Sequence, residues 1–128
     1  MEFNDVVVIA DLEAGIGTLS RLGDQKVDAV VLVVEPTPKS IEVATRAAAL
    51  AREKSLGRLV VVANRVGDAG DLAAVRATFP DDRVVGVPDD PVIEEADRRG
   101  LAPLDLAPGA PAVRALVELA ETLVSAPG

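Results

Sequence analysis

Four stretches of the chain are continuously apolar and rich in β-branched residues: 6–10, 29–34, 59–63 and 84–87. Continuous runs, as opposed to alternating ones, predict strands buried on both faces. Between and after them the hydrophobic period becomes helical. Over residues 38–55, Ile41, Ala44, Ala47, Ala48 and Ala51 fall on one face, with Thr37 placed to cap, Pro38 in the first turn and Gly57 as terminator. Residues 71–78 predict a short helix with Leu72 and Val75 inward, stopped by Pro80. Asp90 and Pro91 start another, with Val92, Ile93 and Ala96 inward and Gly100 as its stop. Residues 111–124 predict the last helix, with Val113, Leu116, Val117, Ala120 and Leu123 in register. Residues 101–109 predict a Pro-rich loop, and the final four residues are expected to fray.

The order β-loop-β-α-β-α-β-α-α predicts an α/β fold: a parallel sheet of about four strands flanked by helices, a Rossmann-like three-layer sandwich. Residues 1–128 are expected to form one domain. Consecutive strands of such units are usually neighbours, so the run at 6–10 is expected to pair directly with 30–34 and to form an edge.

Composition narrows this picture. Of 128 residues 49% are apolar, yet only two are Phe and none is Tyr or Trp, so aliphatic residues and Ala must fill the core. The absence of Cys excludes disulfides and thiolate metal sites, and the absence of His removes the commonest metal ligand and general base. Net charge is −8, with the basic residues scattered, which argues against nucleic acid as a partner. No apolar run reaches the roughly 18–20 residues of a membrane span. With no leader-like segment apparent either, a cytoplasmic location is the expectation.

In parallel α/β sheets ligands bind at the C-terminal strand ends. Asp11 ends the first run, and a carboxylate there suits Mg²⁺, while Gly15 and Gly17 permit close backbone approach to a phosphate. Equally, Asp11 can cap the following turn and the glycines can shape it. Asn64 ends the third run, where its amide offers a donor and an acceptor suited to the edge of a purine base, or simply serves a turn. In "VPDDP", 87–91, the backbone around Pro88 and Asp89 can line a base pocket, or form a plain β-to-α turn with Asp90 as helix cap. Lys39 lies near a helix N-terminus, a feature equally served by a Thr37 cap with Lys39 in solvent. The charged stretch 94–100 reads as a solvated helix face.

Residues 15–20 partly match G-x-G-x-x-G, with Glu35 about twenty residues on, the dinucleotide-binding spacing. Against it, Ser20 replaces the third glycine, and three residues separate Asp11 from Gly15 where a tight turn is needed. The acidic pair and the strand-end lysine of a receiver domain are also missing.

Taken together, "VVVIADLEAGIGTLSR", "VDAVVLVVEPTPKSIEVATRAAALAREKSLGRLVVVANRV" and "VVGVPDDPVIEEADRRG" resemble the C-terminal half of the CooC-type ATPases. These are nickel-insertion accessory proteins of carbon monoxide dehydrogenase, within the MinD/ParA group of P-loop NTPases. The resemblance spans nearly the whole chain. It implies a parallel sheet sandwiched by helices, ATP and Mg²⁺ as cofactors, and dimers that switch with ATP. By position it implies that Asp11 is the Mg²⁺-side aspartate and that Ala14 and Gly15 form the switch turn facing the γ-phosphate. It likewise implies that Asn64 contacts adenine while Pro88 and Asp89 line the base pocket.

The sequence departs from that pattern in three places. No G-K-[ST] phosphate loop occurs in it, the family's cysteine pair is missing, and Thr18 stands where CooC proteins often carry His. Nickel handling therefore has no support in these residues, and hydrolysis lacks the group that neutralises and orients the phosphates. The expectation is an incomplete ATP-type domain, a half-site that does not hydrolyse ATP alone, partnered by a P-loop-bearing chain or by its own copies. The alternatives are a non-catalytic interaction module on the same scaffold and a dinucleotide-binding domain.

Overall fold

The computed structural model describes Ile9 and residues 27–124. Three strands, β1 (Ala29–Val34), β2 (Arg58–Val66) and β3 (Arg83–Pro88), form a parallel sheet in the order β1-β2-β3. The helices are α1 (Pro38–Glu53), α2 (Ala69–Thr78), α3 (Pro91–Arg99), α4 (Pro103–Leu106) and α5 (Pro111–Val124). Of the run at 6–10 only Ile9 is described. It lies outside any strand and is 86% exposed; the other four residues of the expected edge strand, and with them its pairing to 30–34, lie outside the described residues.

Helices cover both faces, giving three layers. Alternation along the strands sends Leu32, Val34, Val61 and Ala63 to one face, where Ala44 and Ala48 of α1 and Val75 of α2 meet them. Three of the four buried α1 residues, Ala44, Ala48 and Ala51, recur at helical spacing, and their small size lets the helix sit close on the sheet. Phe79 closes the end of this core at 2% exposure. On the other face Val62 and Val87 pack against Ala112, with Ile93, Ala115 and Leu119 around them.

Most helix ends are legible in local chemistry. Thr37 accepts from the Ser40 amide at 3.3 Å, and Asp68 accepts from the Asp71 amide at 2.9 Å, which extends α2 two residues ahead of the expected start. Gly100 closes α3 in the left-handed conformation, φ 67°. The end of α1 is different from expectation. Ser55, not Gly57, takes the left-handed position, φ 49°. Gly57 is needed for another reason: a Cβ there would stand 2.3 Å from the Val27 carbonyl oxygen, where the chain enters β1.

Two further expectations are corrected. The Pro-rich segment 101–109 contains a turn of helix, α4, whose Ala107 amide donates back to the Pro103 carbonyl at 2.9 Å. In α5 the covered residues are Ala112 and Val113, with Ala115 and Leu119 partly covered, while Leu116 and Val117 are each 41% exposed. Apolar residues occupy more than half of this helix's circumference, so period alone does not select the buried stripe. Position does: Arg58 at the foot of β2 donates to the Thr122 and Leu123 carbonyls at 3.1 and 2.8 Å and fixes the C-terminal end of α5.

Candidate functional site at the strand ends

The C-terminal ends of β1, β2 and β3 lie side by side, because all three strands are parallel and in near register. Strand β2 does not stop at Asn64; it runs on to Val66 through an irregularity between Ala63 and Val66. Its cause is Arg65, a non-glycine residue in the left-handed conformation, φ 59°. One extra residue in the strand shifts the alternation. Val61, Ala63 and then Val66 face the α1/α2 core, and Arg65 is thrown outward, exposed at the sheet's end.

Arg65 ties the three strand ends together. Its Nη1 lies 3.5 Å from Oε1 of Glu35, just past β1, and its Nε lies 3.5 Å from Oδ1 of Asp89, just past β3. The Asp89 amide donates to the Val66 carbonyl at 3.0 Å, extending the β2–β3 ladder past its last strand pair, Val66 with Pro88. The Glu35 amide donates to Oγ of Ser40 at 2.9 Å, holding the turn into α1.

Of the residues singled out in sequence, Asn64, Pro88 and Asp89 come together here. Asn64 is half-buried beside the irregularity, and its side chain has no hydrogen-bond partner among the described residues. A half-buried amide offers a donor and an acceptor side by side, which suits the edge of a base. Pro88 is half-buried and Asp89 exposed. Asp11, Ala14 and Gly15 lie outside the described residues, as does the glycine stretch 15–20. Among the described residues no group of three or more His, Cys, Asp or Glu could hold a metal ion. Lys39 is exposed beside a working Thr37 cap.

Asp90 does more than its expected task. Oδ1 accepts from the Val92 amide at 3.0 Å and caps α3, while Oδ2 accepts from the Ala112 amide at 3.1 Å, at the start of α5. One carboxylate thus serves two helix N-termini and braces the turn that carries Pro88 and Asp89. Sequence reasoning missed this second bond and the role of Arg65. The only signal for Arg65 was its place after Asn64 at a strand end. A groove of about 430 Å³ between α2, β3 and α5, lined by Leu72, Arg76, Arg83, Gly86 and Glu118 among others, includes none of the strand-end residues.

No family model matches the chain. It is 31% identical over 102 residues to the carbon monoxide dehydrogenase accessory protein CooC of Rhodospirillum rubrum, covering 79% of this chain and 39% of that protein. It is 29% identical over 123 residues to an uncharacterized ATP-binding protein of Methanocaldococcus jannaschii, covering 94% of this chain and 47% of that one. The chain therefore spans less than half the length of these relatives. Among solved structures it resembles the septum site-determining protein MinD of Pyrococcus horikoshii, complexed with Mg-ADP, with a TM-score of 0.63 and 20% identity over 77% of this chain and 42% of that one. The MinD cell division protein of Aquifex aeolicus superposes with a TM-score of 0.65 and 24% identity, over 78% of this chain and 46% of its own. The chain is a homologue of CooC and of the Methanocaldococcus ATP-binding protein over part of their length, and it shares its fold with the MinD structures.

Proposed function

We propose that residues 1–128 form a single unit equivalent to the C-terminal half of a CooC/MinD-like ATPase, an ATP-type nucleotide site with its base side but not its phosphate loop. The observation that supports the reading is the meeting of Asn64, Pro88 and Asp89 at adjoining strand ends. In this reading Asn64 hydrogen-bonds the base edge, Pro88 and Asp89 wall the base pocket, and Arg65 holds Asp89 in place from the neighbouring strand. Asp11 is the Mg²⁺-side carboxylate, and Ala14 and Gly15 form the turn toward the terminal phosphate. ATP with Mg²⁺ would supply the triphosphate chemistry, and this sequence carries no G-K-[ST] loop to neutralise the developing charge.

The chain alone is then expected to bind ATP only at about millimolar affinity or weaker, near 4 kcal/mol. Amide NMR titration with ATP–Mg tests this, because it detects weak sites. The expected result is adenine-dependent shifts centred on Asn64, Arg65 and Asp89, smaller with GTP and lost in Asn64→Ala. Absence of shifts at these residues up to saturating nucleotide would refute the reading, and micromolar affinity would refute the missing cradle.

A further inference from the structure

We infer that the groove between α2, β3 and α5 is a docking site for an extended acidic segment of a partner protein. The segment adds a strand to β3 and carries an acidic and an apolar side chain two residues apart. The groove includes none of the strand-end residues, and its occupant is independent of any nucleotide.

Among the described residues β3 ends the order of the sheet. The groove, about 430 Å³, is lined by four consecutive residues of that strand, Arg83 to Gly86, and by side chains of α2 and α5. Alternation turns Arg83 and Val85 to the side of Val87, which packs against Ala112 of α5, and turns Val84 and Gly86 to the side of α2. A void lined by both sets, and by helices from both faces, runs along the outer edge of β3. Along such an edge every second residue directs its N–H and C=O away from the neighbouring strand, ready to pair with a further one. Four strand residues span about 13 Å, room for a three- or four-residue stretch of extended chain.

The side chains along the rim set what the added strand must carry. On the α2 side Leu72 lies over Gly86, where a Cβ would stand 3.1 Å from Leu72 Cδ1. Arg76 follows one helical turn later, nearer the foot of β3, because α2 runs antiparallel to the two parallel strands it connects. Four helix residues rise about 6 Å, and two strand residues about 6.6 Å. An acidic side chain on the added strand therefore faces Arg76 when an apolar one, two residues away, faces Leu72. On the α5 side Glu118 shares the flank with Arg83, which favours a neutral residue there and disfavours an acidic one. Arg76 and Arg83 are both exposed. Two guanidinium groups against one carboxylate make the groove locally cationic in a chain of net charge −8, which selects an acidic segment over a basic one. Main-chain pairing then supplies affinity, and the alternate side chains supply specificity.

The probes are the capped peptides Thr-Thr-Glu-Thr-Val-Thr-Thr and Thr-Thr-Val-Thr-Glu-Thr-Thr, one for each strand direction. Each is titrated into the full 128-residue chain without nucleotide and followed by amide NMR. Saturable shifts at the Val84, Val85 and Gly86 amides are expected with one of the two. Replacing Glu by Lys in that peptide should weaken binding about fivefold, and so should Arg76→Glu in the chain, with unchanged circular dichroism because the side chain is exposed. Arg76→Glu should in turn bind the Lys peptide more tightly than the wild type does, a rescue that a merely structural role of Arg76 would not produce. Arg46→Glu, an exposed residue of α1 outside the groove, should leave binding unchanged. The inference is overturned if neither peptide shifts the β3 amides, or if Arg76→Glu binds the Glu and Lys peptides as the wild type does. It is overturned also if acetate at the same concentration gives the same shifts, which would make the groove a small-anion site, or if the shifts centre on Asn64 and Asp89.

Discussion

Replacing Asp90 tests how the strand-end turn is held. In Asp90→Ala two hydrogen bonds disappear together. Loss of the α3 cap at the Val92 amide costs about 1 kcal/mol by the general behaviour of such caps. The Ala112 amide is the second loss, and it is the costlier one. Ala112 is fully buried at 0% exposure, so its N–H has no water to turn to, and an unsatisfied buried donor costs roughly 1–3 kcal/mol. The sum is about 2–4 kcal/mol, a large share of the roughly 5–15 kcal/mol typical of a domain. Asp90→Asn keeps one acceptor for Val92 but turns an amide NH₂ toward Ala112, so about 1–2 kcal/mol is expected. Urea unfolding followed by circular dichroism measures both through the midpoint at constant slope. An Asp90→Ala loss under about 0.5 kcal/mol would refute the double-cap argument, since that is the scale of an ordinary surface substitution. Equal losses for Ala and Asn would refute its division between the two oxygens.

Gly57→Ala is expected to destabilise by about 1–3 kcal/mol, because its Cβ would lie 2.3 Å from the backbone oxygen of Val27 and must displace the chain at the foot of β1; unchanged thermal unfolding would refute this. Arg65→Ala is expected to cost less than about 1 kcal/mol of stability, because both its ion pairs are exposed, yet to broaden or shift the Asp89 amide resonance as the strand-end link is released; a static Asp89 signal would count against the link. If a P-loop-bearing partner restores ATP hydrolysis, Asp11→Asn should abolish the Mg²⁺-dependent hydrolysis with the fold intact, and wild-type turnover by that variant would remove Asp11 from the metal side.

Much of the fold is fixed by short-range rules that sequence displays directly. The run AVVLVV gives a strand with the bounds Ala29–Val34, and Thr37 and Asp90 cap the helices they precede, because capping joins atoms two or three residues apart. Asn64, Pro88 and Asp89 could be named together because parallel α/β order alone brings successive strand ends to one side. The tertiary structure decided what depends on partners far along the chain. The exposure of Leu116 and Val117 is settled by which flank of α5 the sheet reaches and by Arg58 anchoring its end, not by helical period. The turn at Arg65 shifts β2 by one residue and aims its guanidinium at Glu35 and Asp89, thirty and twenty-four residues away, a pairing no local pattern encodes. Asp90 reaches Ala112 for the same reason: the bond exists only because α3 and α5 start side by side on one face of the sheet.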